Sequence, residues 1–446
     1  MGMTYEKIKT VILAILVLVS IFLYYILWTH QGNYETLKKI PTVEPEMFGK
    51  SKEIGEVVKP DRIYQHLNGQ HYGTMDSMEI SDVINTLKKW DYNNIKNISP
   101  EIKNISSFIQ KQDHSMEIRF PGDVPFYLYK TLLNSTESNN FDFDTILISY
   151  DISKDKEGLV YFISRNNGKV YESNVSASFI DSFKDFTNHA AMEGSIYTTY
   201  FSHNLTKNNL IYLPKNDGSM KKYNYLYKTI DSAKLKRALF SDPSLVQKNI
   251  IANREEYTDD TGLLRIDKDT HVVSFLKPSE ILTDGTEKNK MIQKSIEFVN
   301  QHGGWTNQYK YEYRYVDKND NYDKTTFRLY NSAGFPIFDM EHKISDIQIV
   351  WENNDVKTFI TSNLSTFGTD FDTTTTTLMS GQKVLEYLKE QKNIEMEKIQ
   401  DIVMGYDMQV DSQSIVRLQP SWFYEYDEKW YQIETSHIGG KNNGLE

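Results

Sequence analysis

The stretch Tyr309-Lys310-Tyr311-Glu312-Tyr313-Arg314-Tyr315-Val316 alternates ring and charge without a break. Side chains leave a strand on opposite faces with a period of two, so this run puts four tyrosines on one face. Just upstream, Met291, Ile292, Ile296 and Val299 recur at helical spacing, and Gly303-Gly304 supplies the stop. Strand-like runs follow at residues 325–330, 334–338 and 347–351. The same order returns after Ser380. A helix with Val384, Leu385 and Leu388 on one side precedes strands at residues 399–409, 414–418, 422–426 and 430–433. Helix followed by antiparallel strands, twice over, reads as two α+β units of similar topology joined through the Thr-rich stretch 373–377.

Working toward the N-terminus, strand patterns cover residues 115–120, 145–151 and 159–164, the last turning through Asn166-Asn167-Gly168. A helix is expected over 81–90, capped by Ser81 or Asp82, with Val83, Ile84, Leu87 and Trp90 on one face. Two more are expected around Asp242-Pro243. One starts at Asp231, and the other is capped by Asp242 with Pro243 in its first turn. At 446 residues and 52.1 kDa the chain exceeds one ordinary core. The division expected is a domain over 56–250, a central α+β domain over 251–365 and a C-terminal α+β domain over 366–446.

Ahead of these domains lies an apolar run. No charge occurs from Thr10 to Thr29, a length of about 30 Å as a helix, which matches a hydrocarbon core. Lys7 and Lys9 precede it and favour a cytoplasmic N-terminus, while Tyr24, Tyr25 and Trp28 suit the far interface. The bulky exit Tyr24-Tyr25-Ile26-Leu27-Trp28-Thr29-His30 lacks the small-residue site of a cleaved signal peptide, the competing reading. The expectation is a single-pass cell-membrane protein. It has a cytoplasmic stub over 1–9, a transmembrane helix over 10–29, a tether over 30–55 and an extracytoplasmic bulk. Within the helix, Ala14 permits close approach and Ser20 offers a hydrogen bond; Val17, Leu18 and Ile21 lie near the face of Ala14. These five are the candidate partner contacts.

Composition excludes several functions. A net charge of −11 repels phosphate backbones, so nucleic acid is a poor partner. Cysteine is absent, which removes thiol catalysis, thiolate metal sites and a disulfide frame. His66 and His71, five apart, share neither a helix face nor a strand face, and read as structural or hydrogen-bonding histidines rather than as metal ligands. Asp317 to Asp323 starts like a calcium loop, but Tyr322 stands where glycine is required and Arg328 where the bidentate acid belongs. Gly49-Lys50-Ser51 lacks the first glycine and the strand of a phosphate loop. No Gly-x-Ser-x-Gly or His-Glu-x-x-His motif occurs. No catalytic residue, metal or cofactor is expected.

Several blocks in order resemble the YycH family. They are residues 61–74 (DRIYQHLNGQHYGT), 240–245 (FSDPSL), 257–260 (YTDD), 300–305 (NQHGGW), 334–338 (GFPIF), Gly405-Tyr406 and 420–424 (PSWFY), together with the short Lys-bearing N-terminus. The resemblance covers essentially the whole chain. It implies an anchored extracytoplasmic regulator of the YycG (WalK) sensor histidine kinase, working with a sibling, YycI, through transmembrane helix contacts. It also implies three extracytoplasmic domains, the last two alike. Two other functions stay open on the residues alone: a module that binds wall fragments, and an anchored wall hydrolase.

Overall fold

The chain enters its first sheet through a two-residue hairpin. Asn68 and Gly69 both take positive φ (50° and 71°), the conformation that Asn-Gly supplies for a turn between twisted strands. The turn joins β1 (Arg62–Leu67) to β2 (Gln70–Thr74). The sheet continues with β3 (Asn93–Asn97), β4 (Ser115–Pro125), β5 (Asp142–Ile152), β6 (Glu157–Ser164), β7 (Lys169–Ser176), β8 (Thr198–Asn204) and β9 (Leu210–Pro214). Its nine strands run in the order β3-β7-β6-β5-β4-β1-β2-β8-β9.

After β10 (Gly218–Thr229) come β11 (Gln247–Ile251), β12 (Arg254–Thr258), β13 (Leu263–Asp267), β14 (Val272–Leu276), β15 (Tyr309–Asp317) and β16 (Tyr322–Leu329). The chain then makes β17 (Ile337–Phe338), β18 (Asp346–Glu352), β19 (Asp355–Ser362), β20 (Leu364–Asp370), β21 (Thr374–Leu378), β22 (Ile399–Val410), β23 (Ile415–Tyr426) and β24 (Lys429–Ile433). An eight-stranded sheet has the order β11-β12-β13-β14-β19-β18-β16-β15; a seven-stranded one has β17-β22-β23-β10-β20, with β21 on β10 and β24 on β23. β10 and β17 therefore cross the linear divisions at 250/251 and 365/366 to join the last sheet.

The computed structural model describes residues 9–10, 13, 15–23, 45–130, 133, 140–152, 157–187, 196–278, 290–317, 322–352, 355–371, 373–411 and 414–433. They form two units, Met1–Glu44 and Pro45–Glu446. The second is a sheet-dominated α+β body. One hydrophobic cluster runs through all three of its sheets, from Ile63 and Phe120 through Phe275 and Ile349 to Leu418 and Trp422. Helix Gly381–Glu390 packs on β9 of the first sheet so closely that a Cβ on Gly381 would stand 2.2 Å from that of Leu213.

Several local expectations change. The helix read at 81–90 is Ser77–Leu87, because Asp76 accepts from the Met78 and Glu79 amides at 3.0 and 2.9 Å and caps it a turn earlier. Ser81 sits inside that helix, its hydroxyl donating to Ser77 O. The helix from Asp231 is present as Ser232–Leu239. The one expected after Asp242 is not: Asp242 accepts from Ser244 N, a local turn, and the chain becomes β11. Residues 45–55, read as part of the tether, are built into the body. Phe48 N and Gly49 N donate to Gly303 O, and Lys50 bridges Trp305.

The strands read separately at 414–418 and 422–426 are one strand, β23, despite Pro420. Tyr406, opposite Pro420, donates its amide to Pro336 O on the far side. The missing donor of Pro420 therefore faces the gap after β10 pairing ends at Leu418 and before β24 pairing begins at Trp422.

Gly334 tests the packing where the sheets meet. It has φ +92°, and a Cβ there would lie 2.0 Å from Met75 O, whereas Gly69 (φ +71°) has nothing within 4 Å. Gly69→Ala is expected to cost about 1 kcal/mol from backbone strain alone. Gly334→Ala adds a backbone clash and is expected to cost about 3 kcal/mol or more. Urea denaturation of the two variants checks the difference.

Candidate functional site

Two parts of the molecule stand out: an exposed apolar N-terminal helix and a buried charged junction in the body. In the N-terminal unit, residues 15–23 are helical, and Ile15, Leu16, Val17, Leu18, Val19, Ile21, Phe22 and Leu23 are each 46–66 % exposed. A helix serving a soluble surface keeps a polar face; this one offers only Ser20. Of the five candidate contacts, Val17, Leu18, Ser20 and Ile21 lie in this helix and are exposed. Ala14 lies outside the described residues, as do 24–44. Among the described residues no helix is long and apolar enough to cross a membrane.

In the body, strands of all three sheets deliver buried charge to one junction. Arg62 on β1 forks onto Asp401 on β22 (Nη1–Oδ1 3.1 Å, Nη2–Oδ2 2.6 Å) and its Nε reaches Asp61 at 3.0 Å. Arg328 on β16 binds Glu312 on β15 at 2.6 Å and Asp346 on β18 at 3.1 Å. Arg165, just after β6, binds Asp144 at 2.8 Å and Asn209 at 3.1 Å, and Asn209 donates to Gln400 O at 2.7 Å. Tyr330 donates to Asp61, Lys310 Nζ donates to Pro60 O, and that ammonium sits 4.3 Å from the Tyr330 ring centre. The first sheet is thus tied to both others by charge-assisted bonds between residues hundreds of positions apart.

The tyrosine run lies along this junction. Tyr309 and Tyr311 are buried, and the Tyr311 hydroxyl donates to Asp123 O of the first sheet at 3.1 Å. A register shift between Tyr311 and Tyr313 ends the strict alternation. The other face is not solvent either: Lys310 and Glu312 are buried. Sequence pattern alone missed them, since alternation marks one inner face and a strand held between sheets has two.

A cavity of about 260 Å³ opens beside the junction, lined by Asp123, Asp144, Arg165, Arg314, Asp401 and Glu425 among others. Burial, then the nearby Glu312 and Asp401, push the Glu425 carboxyl up to about 8. Burial pushes Glu312 up to about 7 against the pull of Arg328, and its Oε2 has no hydrogen-bond partner. Burial, then Asp144, raise Asp123 to about 6. Asp401 is opposite in sense: against its burial, the Arg62 guanidinium holds it below the usual carboxylate range.

The paired histidines are brought together. The Asn68-Gly69 turn makes His66 and His71 direct cross-strand partners, with Nδ1 atoms 2.9 Å apart. The Asn-Gly dipeptide between them was the signal that could have found the pair. Among the described residues no group of three or more ligating side chains is placed to hold a metal. Of the calcium-like loop, residues 318–321 lie outside the described residues.

Comparison with known proteins gives the family. The YycH protein N-terminal domain profile matches residues 6–191, and the YycH protein C-terminal domain profile matches residues 207–439. The chain belongs to the YycH family. It is 25% identical over 463 residues to the Two-component system WalR/WalK regulatory protein YycH of Bacillus subtilis (strain 168), covering 99% of each chain. The crystal structure of YycH from Bacillus subtilis has the same fold, with a TM-score of 0.72, 22% identity, and coverage of 88% of this chain and 99% of that one. The YycH fold thus extends over the body just described.

Two predictions follow from the junction. Asp401→Asn leaves Arg62 buried beside a neutral partner and is expected to destabilise the body by about 3–5 kcal/mol in chemical denaturation. Glu425 has a folded pKa of about 8 above its ordinary 4.5. Its protonation therefore adds stability fully present below 4.5 and lost as pH rises through about 8. Glu425→Gln is expected to gain roughly 1–2 kcal/mol over the parent at about pH 9, and almost nothing near pH 5. Denaturant midpoints across pH check the slope.

Proposed function

We propose that this chain is an accessory regulator of a WalK-type sensor histidine kinase, acting by contact and not by catalysis. The end-to-end match to a relative named as a WalR/WalK regulatory protein carries this reading. Residues 10–29 serve as an uncleaved transmembrane helix with the N-terminus cytoplasmic and the body extracytoplasmic. The charge-free run and the all-round apolar helix at 15–23 support that placement. The helix packs against the transmembrane helices of the kinase and of a YycI-like sibling through Ala14, Val17, Leu18, Ser20 and Ile21. Within lipid, such association rests on close packing and side-chain hydrogen bonds.

The body biases the assembly. Its last two units, 251–365 and 366–446, act as domains of like topology, each leading from a helix (Met291–Gln301, Gly381–Glu390) into a long antiparallel pair (β15–β16, β22–β23). A coupling free energy of about 1–3 kcal/mol between body and kinase is enough to move kinase output severalfold. A second reading, a ligand-sensing body, draws on a cavity of about 1040 Å³ lined by Phe48, Lys52, Tyr225, Trp305, Asn307 and Tyr330 among others.

Replacing residues 10–29 by an unrelated apolar helix of equal length tests the contact. Co-purification of the kinase is expected to be lost and kinase phosphorylation to change severalfold. Unchanged association together with unchanged phosphorylation removes the helix from the mechanism.

A further inference from the structure

The kinase-directed reading leaves the β1–β2 hairpin unused. His66 is buried and His71 half-exposed, and their Nδ1 atoms stand 2.9 Å apart. Two imidazole lone pairs do not face each other at that distance, so one of the two nitrogens carries a proton and donates it to the other. The position of the proton is set from behind. His66 Nε2 lies 3.3 Å from Glu117 Oε2 and 3.4 Å from the Tyr212 hydroxyl, and Glu117 accepts from Arg119 Nε at 2.5 Å. A carboxylate at Nε2 keeps the His66 proton there and leaves its Nδ1 as an acceptor. His71 then donates from Nδ1.

The geometry points to a divalent transition-metal ion of the copper–nickel class as the alternative occupant, clamped by His66 Nδ1 and His71 Nδ1. Three observations carry this. First, a buried carboxylate already binds the far nitrogen of His66, the outer-shell arrangement that orients a metal-bound imidazole. Second, the bite is right for one coordination type. Nitrogens 2.9 Å apart, each about 2.05 Å from an ion, subtend about 90°, the cis angle of a tetragonal site. A tetrahedral zinc site needs about 3.3 Å. Third, half-exposed His71 leaves the open positions to water.

On binding, the ion takes the place of the Nδ1 proton, which His71 regains on Nε2 through solvent, so no proton leaves the pair. The charged neighbours are accounted for. Lys215 is held by Gln70, Arg119 by Glu117, and Asp113 lies on the turn at Gly69.

The full-length chain in detergent, titrated with CuCl2 and, separately, NiCl2, tests the site. One Cu2+ per chain is expected, with an electron paramagnetic resonance spectrum of tetragonal type coupled to two imidazole nitrogens. His71→Ala should remove one of the two nitrogen couplings and weaken binding at least tenfold. Glu117→Gln should weaken binding by about 10–100-fold. Because Glu117 is fully buried, its variant can fail to fold; His71→Ala, on the half-exposed hairpin, then decides alone. A chain that binds no ion at one equivalent, or a His71→Ala spectrum and affinity equal to the parent's, overturns the clamp.

Discussion

The Arg62–Asp401 pair joins residues 339 positions apart, and both are buried. Removing two charges from water is costly, and their attraction repays it only when the geometry is good and the remaining donors are used. Here the guanidinium is spent on Asp401 and on Asp61, and Asp61 in turn receives Tyr330, just past β16 of the eight-stranded sheet. Strands contributed by the start, middle and end of the chain thereby converge on a single network. The cross-linked sheets form one body.

That organisation explains an otherwise awkward feature of the middle sheet. β15 presents rings on one face and Lys310 and Glu312 on the other, and neither face is free near its start. The rings reach Asp123 while the charges reach Pro60 and Arg328. Glu312 and Glu425 are left above their ordinary pKa first by burial and then by neighbouring carboxylates, Asp346 and Asp61 beside the one and Glu312 and Asp401 beside the other. The resulting pH-sensitive groups lie where strands of the sheets meet.

Much of the architecture was legible in residue pattern, and the failures have local causes. The strands at 115–120, 159–164 and 399–409 declare themselves by β-branched and aromatic runs. The helix from Asp231 declares itself by its cap. Ser81 was misread because a better cap, Asp76, stood outside the apolar period. Asp242-Pro243 was misread because an Asx turn and a helix start share the same first residues. Sheet membership was not legible: β10 and β17 are ordinary strands whose partners are set by long-range pairing that no local window records. The histidines are hydrogen-bonded, as read, but their contact with each other was not legible, because single-element spacing says nothing about residues facing each other across a hairpin. Of the candidate helix contacts, only the exposure of Val17, Leu18, Ser20 and Ile21 is visible.

Photo-crosslinking from Val17 and Ile21 in intact membranes tests the central proposal most directly, because it asks what touches the apolar helix in place. Capture of a sensor histidine kinase from either position is the result expected. A full-length, membrane-retained chain that crosslinks only to lipid from both positions, or a mature protein found to begin beyond His30, contradicts it.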